Sequence, residues 1–176
     1  MDSLLIAPNV IAVECQINAS SGNTLSSNTF PTQEQLNGRT IVALQAFSNQ
    51  DVSVSPISGL PIATPALWQG SFARFYTASI TRGGKQIRPA GLYLDQLPMS
   101  MLRTVTNQYN AVSANITSAS RDLFRIYPST IDWTKSNVYI PAPVAISQTY
   151  AFLFMVYYLE IDQANDPSIL AAYLPH

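Results

Sequence analysis

"YAFLFMVYYLE", Tyr150 to Glu160, is the most apolar run in the chain, and the fold turns on what covers it. A membrane-spanning helix needs about 20 mostly apolar residues, roughly twice this length. A spanning β-strand has a suitable length but alternates with polar residues facing a lumen. Ala151 to Leu159 carry no strongly polar side chain on either face. A short, continuous apolar run rich in aromatic residues reads as a strand covered on both sides, with a buried helical turn as its rival. As a strand it points Phe152, Phe154, Val156 and Tyr158 one way, and Leu153, Met155, Tyr157 and Leu159 the other. One set is expected to fill the domain's core. The other is expected to meet a further surface, either a loop of this chain or, as the preferred reading, a neighbouring subunit. The candidate subunit-contact strand is therefore Phe152, Leu153, Phe154, Met155, Val156, Tyr157 and Tyr158.

With 176 residues, the chain is expected to form one domain, 1–176, large enough for a substantial core. Only 11 % of residues are charged, against about 25 % in ordinary soluble domains. Disorder is excluded by a hydrophobic share of 47 %. Charged surface is what is missing, as in a chain committed to protein contacts or in a Ser/Thr-rich secreted β-domain. Net charge is −1, and no Lys or Arg precedes Arg39, so no basic N-terminal arm gathers phosphates and no specific nucleic-acid binding is expected. The same gap removes the positive start of a secretory signal from the apolar "SLLIAPNVIAV", which points to a protein made and used inside the cell. A single cysteine, Cys15, excludes an intrachain disulfide and reads as a small core residue.

Working outward, Val10 to Ala19 alternates as a half-buried strand, with Ile11, Val13, Cys15 and Ile17 inward and Glu14 and Gln16 outward. "SSGNTLSSNTFPTQEQLNG" reads as a long polar loop, and "RTIVALQAF", Arg39 to Phe47, as a strand. "SPISGLPIATP" reads as a connection lying over the surface. Gly70 to Leu94 holds two extended runs joined at Gly83-Gly84, the pair a two-residue hairpin loop demands. "DQLPMSMLRT" suggests one helical turn, and Asn107 to Ser120 loop with short strand. "DLFRIY" and "DWTKSNVYI" read as strands, and Asp166 to Leu174 as a terminal helical turn capped by Asp166 with Pro167 first. About eight short strands with long connections and no long helix imply an all-β fold, a single eight-stranded jelly-roll sandwich or barrel with Greek-key wiring.

Chemistry-bearing constellations are sparse. The only histidine, His176, is the last residue, a poor base for a catalytic triad. Gly83-Gly84-Lys85 lacks the P-loop pattern. Glu160 and Asp162 share a face, as a glycosidase pair would, but also mark where a strand meets water. Asp132 beside Trp133 suits a sugar cleft or, as the preferred reading, a core tryptophan. Arg74 among Tyr76, Ala78 and Ile80 reads as a salt-bridged arginine on a neutral face. The sequons at Asn18 and Asn115 are read as chance matches, and neither enzyme activity, metal nor cofactor is expected.

"NTFPTQEQLNGRTIVALQAF", Asn28 to Phe47, is similar to the early loop and strand of single vertical jelly-roll coat proteins. "STIDWTKSNVYI", Ser129 to Ile140, leading into the long apolar strand, resembles their C-terminal half. That family supplies the small major capsid protein of tailless icosahedral viruses of bacteria and archaea with an internal membrane. The resemblance implies a virion coat subunit that forms dimers or larger capsomers with itself. It also implies packing with a second, larger major capsid protein above a viral membrane. The alternatives are a minor or vertex capsid protein of the same viruses, a non-viral sugar-binding β-sandwich, a β-sandwich hydrolase, or a β-domain within another complex.

Overall fold

The computed structural model describes residues 8–22, 25–49, 51–64, 66–67, 70–102 and 124–174. Its architecture is an all-β sandwich of two antiparallel four-stranded sheets. The strands are β1 (Asn9–Ala19), β2 (Ser26–Thr29), β3 (Thr40–Phe47), β4 (Phe72–Thr77), β5 (Ile80–Arg82), β6 (Lys85–Arg88), β7 (Gly91–Pro98), β8 (Phe124–Ser129), β9 (Ile131–Ile140) and β10 (Gln148–Leu159). One sheet has the order β1-β10-β3-β8 and the other β2-β9-β4-β7, while β5 and β6 form a two-stranded sheet of their own.

The apolar run is a strand, and it is interior to its sheet. β10 pairs with β1 over the whole of β1, from Asn9 opposite Tyr158 to Ala19 opposite Gln148, and with β3 on its other side. The wider pairing is nested: β1 with β10, β2 with β9, β3 with β8, β4 with β7. The chain therefore behaves as one long hairpin of strand pairs, rolled until β10 also meets β3 and β9 meets β4. β8 and β9 lie in different sheets but are separated by Thr130 alone, so the chain turns a sandwich corner there.

Both sheets close on one aromatic centre. Phe30, just past β2, lies 5.3 Å from Phe154 of β10, 5.3 Å from Trp133 of β9 and 5.9 Å from Phe75 of β4. Val13, Cys15 and Ile17 of β1, Leu44 and Ala46 of β3, and Phe152 and Val156 of β10 complete the same core. The inward set expected for β1 is thus the observed one, and Cys15 is a core residue.

Three expectations change. Ser26–Thr29, read as loop, is an edge strand; its pattern is polar and three of its four side chains are exposed, so backbone pairing with β9 makes it a strand rather than apolar alternation. The two runs around Gly83-Gly84 are each broken, at Ala78-Ser79 and Pro89-Ala90, so the glycine turn closes the separate β5–β6 hairpin. Gly83 and Gly84 have φ of 58° and 73°, as a tight primed turn requires. Among the described residues, ten strands thus replace about eight, with eight of them in the sandwich. The helical turns appear as Met99–Leu102 and Pro167–Ala172, the latter with Asp166 accepting from the Ser168 backbone N–H and Pro167 first. Asn107 to Ser120 lies outside the described residues.

Candidate functional site

The outward face of β10 shows what covers the apolar run. The segment after β3 turns back beside β10, pairing Ile62 with Ala151 as a parallel bridge in the plane of the sheet, and its side chains reach the outward face. Ala151 donates its backbone N–H to the Pro61 carbonyl at 2.9 Å and accepts from Ala63 N–H at 3.1 Å. Ile62, Ala151 and Leu153 form a second, small apolar cluster with Ala12, Phe47 and Leu60 around it. The connection read as lying over the surface is therefore also a lid.

Beside it, the lid is pinned through Glu14. The Ser55 and Ser58 hydroxyls both donate to Glu14 Oε2, and Gln16 Nε2 donates to Oε1 at 2.7 Å. Glu14 is only 5 % exposed, so the outward polar side chain expected on β1 is a buried acceptor. The alternation placed Glu14 on the correct face but carried no sign that serines some 40 residues on would cover it.

The preferred reading of a partner covering the second face is corrected in part. Phe152, Phe154 and Val156 fill the main core and Leu153 is under the chain's own lid, so these four have no surface to offer a partner. Met155, Tyr157 and Tyr158 remain half-buried. Met155 lies between Ala12 of β1 and Gln45 of β3, and Tyr157 donates its hydroxyl to Gln45 Oε1 at 3.0 Å. Burial raises the Tyr157 phenol above its ordinary value. With Val10, 47 % exposed opposite Tyr157, Met155 and Tyr157 form the open part of the face, while Tyr158 points the other way and packs against the main core.

A cleft of about 800 Å³ runs along the other flank of β1. Ile11, Glu14, Gln16, Phe30, Glu34 and Ile57 are among the residues lining it, and the lining contains no Lys or Arg. Beside Gln16 and Asn28 of its lining β1 and β2 are tied together: Asn28 Nδ2 donates to the Gln16 carbonyl at 2.7 Å, and the Cys15 thiol to the Asn28 carbonyl at 3.3 Å. Sequence reasoning missed this cleft because its far wall, Phe30 to Gln35, is polar chain outside any apolar period.

The other singled-out residues have structural partners. Arg74 bridges Asp95 at 2.6 Å and lies 5.5 Å over the Tyr139 ring, the salt-bridged arginine the sequence suggested. Glu160 is bound by Arg39 at 2.9 Å and caps the turn Ile161–Ala164 reciprocally with Gln163, so it is engaged away from any acid–base pair with the exposed Asp162. Asp132 accepts from the Thr134 hydroxyl and the Lys135 backbone. Trp133 lies in the core, 5 % exposed, with no ring face free to stack on a sugar. His176 and Asn115 lie outside the described residues. Among those described, no three His, Cys, Asp or Glu side chains gather as metal ligands, and no helix is long and apolar enough to cross a membrane.

No family model, no curated protein and no solved structure matches the chain.

Proposed function

We propose that the sandwich is a jelly roll and that the chain is a virion coat subunit, packing with copies of itself into an icosahedral shell. The observation that carries this reading is the nested pairing. Eight strands pair first with last and inward in order, then roll into sheets β1-β10-β3-β8 and β2-β9-β4-β7. Two interleaved Greek keys have this wiring. The depleted charge and the open apolar strip of Val10, Met155 and Tyr157 support a surface committed to neighbours. Glu160 is held in an ion pair and a cap and Asp132 in a turn, neither aimed into a shared cleft, which favours a structural role over a hydrolytic one.

In this role the chain stands in the shell beside a larger capsid protein, with a membrane beneath it and the genome inside that. Electron microscopy of purified particles, with the chain identified by mass, tests the reading. A shell density fitted by this sandwich in many copies supports it. Particles that lack the chain, or a chain purified only within a cellular assembly, would sink it.

A further inference from the structure

The β1 edge and the β5–β6 hairpin have complementary properties at opposite sides of the molecule. β1 is an edge strand, bonded on one side to β10. The Gln16 carbonyl faces away from β10, toward Asn28. Because the β1–β10 register is unbroken and backbone direction alternates, the N–H and C=O groups of Val10, Ala12 and Glu14 face the same free side. No described residue bonds them. They form a comb about 13 Å long that opens into the cleft.

The hairpin is the opposite object. Among the described residues β5 and β6 bond only to each other, and an isolated two-stranded hairpin is marginal in water. Gly83 to Gln86, at its tip, are exposed. β6 is four residues long, about 13 Å, which matches the comb. Charge matches as well. The hairpin sequence holds Arg82, Lys85 and Arg88, three of the chain's nine cations, and no acid. The cleft holds Glu14 and Glu34 and no cation. Strand order then favours docking between copies over docking within one molecule. The hairpin springs from β4 and β7, at the far edge of its sheet, while the cleft lies between β1 and β2 at the near edge.

We propose that the β5–β6 hairpin of one copy docks in the β1-edge cleft of the next, adding strands to the β1 sheet and joining copies head to tail. This rests on the self-associating coat reading and names the surfaces it uses. Strand addition supplies backbone bonds, and the charges set register and orientation. Because the two surfaces differ, the contact is heterologous, and repeated copies close into a ring wherever the rotation allows.

Sedimentation velocity across a concentration series tests it, with wild type, Lys85→Glu, Glu34→Lys, an equimolar mixture of those two, and Ala12→Pro. Proline at Ala12 removes an N–H that faces the free edge and leaves pairing with β10 intact, so it blocks only the docking strand. Each single variant is expected to raise the dissociation constant about tenfold or more, and the mixture to restore it, since reversed cleft then meets reversed hairpin. Thermal melts establish that each variant is folded; should Ala12→Pro fail that control, rescue in the mixture decides alone. Wild-type association that none of the variants weakens overturns the docking and leaves the coat reading standing. A wild type that stays monomeric at high micromolar concentration overturns both the docking and the self-association beneath it.

Discussion

The Ser55 hydroxyl donates to the Glu14 carboxylate from a loop 41 residues further along the chain, and Ser58 donates to the same oxygen at 2.9 Å. These bonds hold the lid over Ala151 and Leu153 of β10. Removing one donor leaves a buried carboxylate short of a partner, which typically costs about 1–3 kcal/mol. Ser55→Ala is therefore expected to lower the unfolding free energy by that amount, seen as a lower denaturant midpoint, and to speed proteolysis between 48 and 64. A variant with unchanged midpoint and unchanged cleavage would show that the lid holds by apolar contact alone.

Phe154 and Met155 separate the two faces of β10. Phe154 is fully buried 5.3 Å from Phe30, so Phe154→Ala is expected to cost about 3–5 kcal/mol, a large part of a domain's total. Met155 is half-buried beside Ala12 and Gln45, and its truncation is expected to cost about 1 kcal/mol. If the open strip is a shell contact, Met155→Ala also weakens association while the fold survives. Thermal melts and sedimentation of the two variants separate these effects. Equal melting losses with unchanged association would assign both faces to the chain's own packing.

Local signals were readable and distant ones were not. The Asp166-Pro167 cap was legible because its donor, Ser168, is two residues away. The β1 alternation was legible because one face meets the core and the other does not. β10 was legible as a strand, yet the cover of Leu153 was misassigned, since nothing within "YAFLFMVYYLE" encodes contact with Leu60 and Ile62. β2 was lost for the opposite reason: Ser-Ser-Asn-Thr has no apolar period, and its structure comes from the β9 backbone. Of the candidate surface, the half-buried Met155 and Tyr157 were in view; the β1-edge cleft needed the fold.

Cys15 offers a pH test. Burial pushes its thiol up to about 12 from an ordinary 9.0, so the folded state keeps the proton where the unfolded chain releases it. Stability is fully present below about pH 9 and then declines by about 1.4 kcal/mol per pH unit until the folded value is reached. The half-buried Tyr139, Tyr157 and Tyr173, also raised by burial, add to the alkaline loss, so the comparison is with Cys15→Ala, which should show a shallower decline between pH 9 and 10.5. Thiol reagents at pH 8 should label native Cys15 far more slowly than the denatured chain. Rapid native labelling, or parallel pH profiles for the two proteins, would refute the buried-thiol account.

Trp133 packs edge-on to Phe30 at 5.3 Å and to Phe75 at 6.1 Å, and its indole Nε1 is buried without a hydrogen-bond partner among the described residues. The ring's apolar burial is thus opposed by one unsatisfied donor, which costs about 1–3 kcal/mol. Trp133→Phe removes that donor together with part of the ring volume, and the two effects oppose each other. Its net change is expected to lie within about 1 kcal/mol of wild type, whereas Trp133→Ala should lose about 3–5 kcal/mol through the cavity left between the sheets. Because the indole has no exposed face, carbohydrates should produce no saturable change in Trp133 emission. Urea melts of both variants and a sugar titration of the wild type check this. A Phe variant as damaged as the Ala variant would mean that Nε1 has a partner in solution, and a saturable sugar response would mean that the ring is reachable.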